Sequence, residues 1–166
     1  VMEFVEHGSL EDHIRSHGPL PVTQAVELFR EIAIGLLHEH GKGVLHCDLK
    51  PANILLDVDQ HPRLADFGQA RLTHEQTPAL GTLFYMAPEQ AAGQQGDAKP
   101  AADQYSAGIL LYELLCGRVP FEGPPATVIY NQIHTPPERP TTIRKSIPTV
   151  LETICLKAIA KRPEDR

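Results

Sequence analysis

The chain has 166 residues, with 15 Lys and Arg against 21 Asp and Glu and a net charge of −6. That length supports one domain with a sizeable core, and an acidic balance without a basic run argues against nucleic acid as a partner. Three widely spaced cysteines, Cys47, Cys116 and Cys155, argue against a disulfide framework and for a reducing compartment, and no apolar run reaches the length of a membrane span.

In chain order, Val1 to Val5 is a short strand-like run. Ser9-Leu10-Glu11-Asp12 predicts a capped helix, with the Ser9 hydroxyl on free amides and Asp12 favourable in the first turn; it ends near Gly18-Pro19. A longer helix is expected from Thr23 to His40, with Phe29, Ile32, Ala33, Leu36 and Leu37 as its core stripe and Gly41 and Gly43 as its stop. Ile54-Leu55-Leu56 and Arg63-Leu64-Ala65, separated by the turn Val58 to Pro62, read as a β-hairpin. Gln90 to Pro100, rich in Gly, Ala and Gln, reads as a loop. The stretch from Asp103 to Gly117 reads as a helix apolar on nearly all sides and therefore buried. A helix from Ala126 to His134, a proline-rich loop from Pro136 to Pro140 and a last helix from Pro148 to Lys161 complete the chain. The last helix is expected to bury Val150, Leu151, Ile154, Cys155, Ala158 and Ile159. The expected fold is mainly α with a small β-hairpin. The chain opens without an initiator methionine and inside an apolar run, so a piece of a longer protein is expected.

The hairpin organises the chemistry. It brings Asn53, just before its first strand, close to Asp66, just after its second, and Asp48 lies on the same loop as Asn53. Asp and Asn oxygens are hard donors suited to magnesium and phosphates, Lys50 can neutralise a phosphate, and Asp48 is left to take a proton from an attacking hydroxyl. Any one of these residues could simply build a turn; four at this spacing point to a site. The histidines do not make a zinc centre: His38 and His40, two apart, face different sides of a helix, and no Cys-x-x-Cys is present.

His46-Cys47-Asp48-Leu49-Lys50-Pro51-Ala52-Asn53 resembles the catalytic loop of eukaryotic-type protein kinases. Asp66-Phe67-Gly68 resembles their metal-binding triplet, and Ala87-Pro88-Glu89 the end of their activation segment. The resemblance implies a hinge at residues 1–8 and the large C-terminal lobe at 9–166, in the manner of bacterial members of the family. It implies phosphoryl transfer from magnesium ATP to Ser or Thr hydroxyls of protein substrates. Asp48 would orient the nucleophile and take its proton, Lys50 would balance charge on the phosphate, and Asn53 and Asp66 would hold Mg2+. Met2 would be the gatekeeper, the Glu3 carbonyl and Val5 amide would bond the adenine edge, and Leu55 would lie under the adenine. His46 would pack beneath Phe67, Gly68 would complete the triplet, Asp103 would bond the catalytic-loop backbone, and Arg166 would pair with Glu89. Lys50 and Thr82 resemble the Ser/Thr class, with Thr82 contacting Asp48 and Lys50.

One departure stands out. Most regulated kinases carry arginine where this chain has Cys47, and that arginine pairs with a phosphate on the activation segment. Cysteine cannot, so activity is expected not to require phosphorylation at Thr73, Thr77 or Thr82. The Gly-rich loop, the strand lysine and its helix glutamate are not among these 166 residues, so the piece alone is expected to be inactive. The protein is expected in the cytoplasm, or as the cytoplasmic domain of an anchored parent. The rival reading is a pseudokinase acting as a scaffold; its usual sign, loss of Asp48, Asn53 or Asp66, is not seen. A magnesium-dependent hydrolase would leave Gly81 to Glu89 unexplained.

Overall fold

The computed structural model describes residues 8–66, 80–93 and 100–166. Helix α1, Leu10–His17, starts where the sequence places it. The Ser9 hydroxyl accepts the Asp12 amide at 3.2 Å while the Asp12 carboxylate accepts the Ser9 amide at 3.3 Å, a reciprocal cap that satisfies two otherwise orphan donors. Helix α2, Val22–Gly41, buries Ala25, Ile32 and Leu36, with Phe29 half-buried beside them. Leu37 does not belong to that stripe. It is 72% exposed, because one residue is a 100° step around the helix and carries it off the face that Leu36 presents to the core.

Pro51–Asn53 forms one 3-10 turn that leads into the hairpin of β1, Ile54–Leu56, and β2, Pro62–Leu64. The strands are antiparallel, pairing Ile54 with Leu64 and Leu56 with Pro62. Pro62 therefore begins a strand instead of ending the turn, a position where its missing N–H costs little. Asp57 holds the turn together: its carboxylate accepts the amides of Asp59 and His61 and the Arg63 guanidinium. The Leu56 amide also donates to the Gly8 carbonyl at 3.1 Å, tying the start of α1 to the hairpin.

Two short helices, α3 (Leu80–Leu83) and α4 (Pro88–Ala91), precede the central helix α5, Pro100–Cys116. Gln90 and Ala91 are therefore helical, not part of a loop: Pro88 opens the turn, and the Gln90 side chain accepts the Ala87 amide at 3.0 Å. Pro100, also expected in a loop, is the first residue of α5, where proline suits a helix start. Residues 94–99 of that expected loop lie outside the described residues. Helix α5 is buried from Ala102 to Leu115 on almost every side. Gly108 permits its closest packing. A Cβ there would stand 2.6 Å from Ile159 Cγ2 and 2.8 Å from Ala158 Cβ, so only glycine allows the final helix so near.

Helix α6 (Pro125–His134) packs against α3 and α4, and helices α7 (Pro140–Ile143) and α8 (Thr149–Ala158) pack against α5. The buried face of α8 is Glu152 and Cys155, continued by Ile159, whereas Val150 and Ile154 point to solvent. The helix turned because Glu152 has a polar socket: its carboxylate accepts the Thr141 amide and the Arg139 guanidinium, both at 2.9 Å. Among the described residues no helix is long and apolar enough to cross a membrane.

Candidate functional site

The loop between α2 and β1 carries the expected chemistry, and it is pinned from below by α5. Asp103, 1% exposed, accepts the amides of His46 at 2.8 Å and Cys47 at 2.7 Å. His40 Nε2 donates to the same carboxylate at 2.7 Å. A buried carboxylate needs such donors. Asp103 is the fourth residue of α5 and not its cap, and its side chain joins the loop to the end of α2. This clamp holds Cys47 at φ 61, a left-handed backbone that a residue with a Cβ adopts only at a cost of about 1–2 kcal/mol. Turning the chain there aims Asp48 away from the core.

Asp48 sits at the centre of a hydrogen-bonded group. Lys50 Nζ donates to Asp48 Oδ2 at 2.7 Å and to Thr82 Oγ1 at 2.8 Å. Thr82 Oγ1 donates to Asp48 Oδ1 at 3.0 Å. Asn53 Nδ2 donates to the Asp48 carbonyl at 2.8 Å and to Asp48 Oδ2 at 2.9 Å. Three residues from two distant segments thus converge on one carboxylate that is 12% exposed. The Ala65 amide donates to the Asn53 carbonyl at 2.9 Å, so Asp66 follows directly on a residue bonded to Asn53, and it too has a positive φ, 59. The hairpin does what the sequence implies: it puts Asp66 beside the catalytic-type loop.

The donor chemistry fits a magnesium ion. Both Asn53 amide hydrogens are directed at Asp48, which leaves Oδ1 as its hard donor, and Asp66 supplies a carboxylate; magnesium is commonly held by one or two such groups with substrate phosphates. Among the described residues there is no cluster of three or more His, Cys, Asp or Glu that could hold a metal ion without a substrate's own oxygens.

The supporting shell is equally defined. Arg166, 0% exposed, binds Glu89 through two parallel bonds of 2.7 Å and also donates to the carbonyls of Ala160 and Ala101. Burial alone would raise the Glu89 carboxyl, but the guanidinium on both its oxygens outweighs that and holds it below the ordinary carboxylate value. His46 is fully buried, and loss of solvent lowers its basicity, so its imidazole is kept neutral. Burial pushes the Cys47 thiol up to about 11, which makes it a poor nucleophile at neutral pH. Leu55 is half-buried on β1, between the buried Ile54 and Leu56. Met2, Glu3, Val5, Phe67, Gly68, Thr73 and Thr77 lie outside the described residues.

Three contributors are not evident from the sequence. His40, weighed there only as a metal ligand, belongs to the Asp103 clamp. Gln132 is buried: its Nε2 donates to the Phe84 carbonyl at 2.7 Å, and the Tyr105 hydroxyl donates to its Oε1. It therefore anchors the segment just after Thr82. A lone amide four residues after Val128 on the apolar face of α6 was the available signal. Tyr85 donates to Glu113 at 2.5 Å, and burial, with Glu11 and Glu122 nearby, raises the Glu113 carboxyl above its ordinary value.

The family model described as "Protein kinase domain" matches residues 1–166. The chain is 38% identical, over its whole length, to the serine/threonine-protein kinase PknB of Mycobacterium leprae, covering 28% of that protein. It is 42% identical to the serine/threonine-protein kinase PkaA of Streptomyces coelicolor, covering 31%, and 39% identical to PrkC of Bacillus subtilis, covering 26%, again over the whole of this chain. The chain thus spans under a third of the length of these curated relatives.

Proposed function

The chain belongs to the protein kinase family, and from that premise we propose that it forms the hinge (residues 1–8) and the large C-terminal lobe (9–166) of a bacterial-type serine/threonine kinase. The reaction is transfer of the γ-phosphoryl group of ATP to a Ser or Thr hydroxyl of a protein substrate. The observation that carries this reading is the sharing of the Asp48 carboxylate by Lys50, Thr82 and Asn53.

Asp48 accepts the proton of the attacking hydroxyl as its oxygen bonds to phosphorus, and ADP departs as the bridging P–O bond breaks. Thr82 holds the Asp48 Oδ1, and Lys50 and Asn53 hold its Oδ2, which fixes the direction from which the hydroxyl is received. The Lys50 ammonium balances charge on the transferring group, and Thr82 ties the activation segment to the acceptor site. Asn53 and Asp66 would hold magnesium, which supplies charge neutralisation on the phosphates. By the family resemblance Leu55 would lie under the adenine, and the Glu3 carbonyl and Val5 amide would bond its edge. His46, Phe67, Gly68, Asp103 and the Glu89–Arg166 pair support the geometry; most of the catalysis is positioning and electrostatics. A cytoplasmic site of action, where ATP is available, fits this reading.

The test is phosphate transfer from labelled ATP to Ser/Thr and Tyr peptides by the full-length protein. Transfer to Ser/Thr peptides alone is expected. Asp48→Asn should lose about 10²–10⁴-fold in kcat, the usual worth of a positioned base, and Thr82→Val less. The 166 residues by themselves, without a Gly-rich loop and its lysine, are expected to transfer nothing. ATP binding without any transfer by the full-length protein would favour a scaffold, and turnover without peptide a hydrolase.

A further inference from the structure

Helix α6 buries one polar side chain, Gln132, on the face that also buries Val128. Gln132 is 1% exposed. An amide so deep needs partners at both ends, and it has them. Its Nε2 donates to the Phe84 carbonyl at 2.7 Å and to the Leu83 carbonyl at 3.4 Å, and its Oε1 accepts the Tyr105 hydroxyl. The stretch of helix that carries it is fixed in turn. Lys161 Nζ donates to the Asn131 and Gln132 carbonyls at 3.0 and 2.8 Å and lies 4.4 Å from the centre of the Phe121 ring.

The segment that Gln132 grips has little hold on itself. It runs between α3, which ends at Leu83, and α4, which begins at Pro88. Its own backbone bonds are long: the Tyr85 amide donates to the Thr82 carbonyl at 3.2 Å and the Met86 amide to the Leu83 carbonyl at 3.4 Å. Among the described residues the Phe84 carbonyl accepts from no backbone amide. Side chains take over. Gln132 holds the carbonyls of Leu83 and Phe84, and the Ser106 hydroxyl donates to the Tyr85 carbonyl at 2.8 Å. Three successive carbonyls are thereby drawn onto α5 and α6. Immediately before them stands Thr82, whose hydroxyl donates to Asp48 Oδ1 and accepts from Lys50. The place of Thr82 is therefore set from two sides, by the catalytic-type loop in front and by Gln132 behind.

We propose that Gln132 is a positioning residue for phosphoryl transfer: through the Phe84 and Leu83 carbonyls it fixes Thr82, and with it the path of the acceptor peptide, against Asp48. The inference rests on the transfer reaction proposed above. Gln132 lies buried behind the segment, so its loss changes how the acceptor is received and leaves the nucleotide's own contacts in place. The tether is stiff because releasing it would strand the Phe84 carbonyl, the Tyr105 hydroxyl and the amide itself away from water.

The experiment compares the full-length wild type with Gln132→Met, which keeps the length of the side chain and removes its donor and its acceptor. Transfer from labelled ATP to a Ser/Thr peptide should lose about tenfold or more in kcat/KM for the peptide, with KM for ATP within about twofold. Without nucleotide or peptide, amide hydrogen exchange should quicken about tenfold or more at Tyr85 and Met86 and stay unchanged in α2. Gln132→Asn, one methylene shorter, withdraws the amide from Phe84 and carries the same test should the methionine variant misfold. Peptide kcat/KM within about twofold of wild type overturns the proposal. So does an equal rise of KM for ATP, or a uniform quickening of exchange, since either would make Gln132 a support of the whole fold. A wild type that transfers nothing brings down the reaction and this role with it, whereas unchanged exchange at Tyr85 and Met86 in an active protein brings down the tether alone.

Discussion

Replacing Asp103 by alanine is expected to damage stability and activity together. Three hydrogen bonds end on this carboxylate, from the His46 amide, the Cys47 amide and His40 Nε2, at 2.7–2.8 Å. Bonds to an ionised group are worth about 1.5–3 kcal/mol each, so their sum bounds the loss at roughly 5–9 kcal/mol; relief of the buried charge itself brings it to about 3–5 kcal/mol. Against a typical total of about 5–15 kcal/mol that is a large fraction. Asp103→Asn keeps the shape and one acceptor but turns an NH2 toward one of the donors, for a cost of about 1–3 kcal/mol. With a urea slope near 2 kcal/mol per molar, the alanine midpoint should fall by about 2 M and the asparagine midpoint by about 1 M. The loss of activity has its own cause. Once the clamp is weakened, Cys47 can relax from φ 61, and Asp48 turns with it. A misplacement of about 1 Å costs on the order of 100-fold in rate. Urea unfolding followed by circular dichroism, and kcat on a Ser/Thr peptide, measure both parts in the full-length protein. An Asp103→Ala midpoint within about 0.3 M of wild type, with kcat intact, would refute the clamp.

Four further outcomes are expected. Arg166→Met or Glu89→Gln alone should each cost about 3–5 kcal/mol, since each strands a half-buried or buried partner, while the double variant should cost clearly less than the sum in a double-mutant cycle. With its thiol pushed up to about 11, Cys47 should alkylate slowly at neutral pH and faster as the pH approaches that value; Thr73→Ala/Thr77→Ala should leave activity in place, and its loss would mean that a phosphate on that segment finds another cation. Burial raises the Glu113 carboxyl above its ordinary 4.5, so between that pH and its folded value the folded chain holds a proton that the unfolded chain has released. Its contribution to stability is therefore full below pH 4.5 and is lost as pH rises through the folded value. Glu113→Gln should remove that slope from stability measured across the acid range, and an unchanged slope would place it elsewhere.

Much of the site could be read from the residues in order. Ser9 with Asp12 predicted a cap that the structure forms, and the hairpin between Asn53 and Asp66 follows from two short apolar runs and a turn. The helix faces were less legible. Leu37, Val150 and Ile154 carry the same hydrophobicity as Leu36 and Cys155, so periodicity alone cannot rank a residue at the margin of a stripe. The orientation of α8 is decided by Glu152, whose buried carboxylate finds Thr141 and Arg139 only once α7 is in place. The helical turn at Gln90 was hidden by a composition that resembles a loop.

What the sequence determined by itself is the chemistry on offer: which side chains are hard oxygen donors, which are carboxylates, which is a cation, and that a hairpin returns Asp66 to Asn53. These are local properties, set by residue type and by spacing within some twenty positions. What only the tertiary structure decided is how Asp48 is held and aimed. Asp103 on α5 bonds the amides before it, and Thr82, 34 residues along the chain, bonds its oxygen. Burial and hydrogen-bond partners are properties of packing between distant segments, and no single stretch of chain contains them.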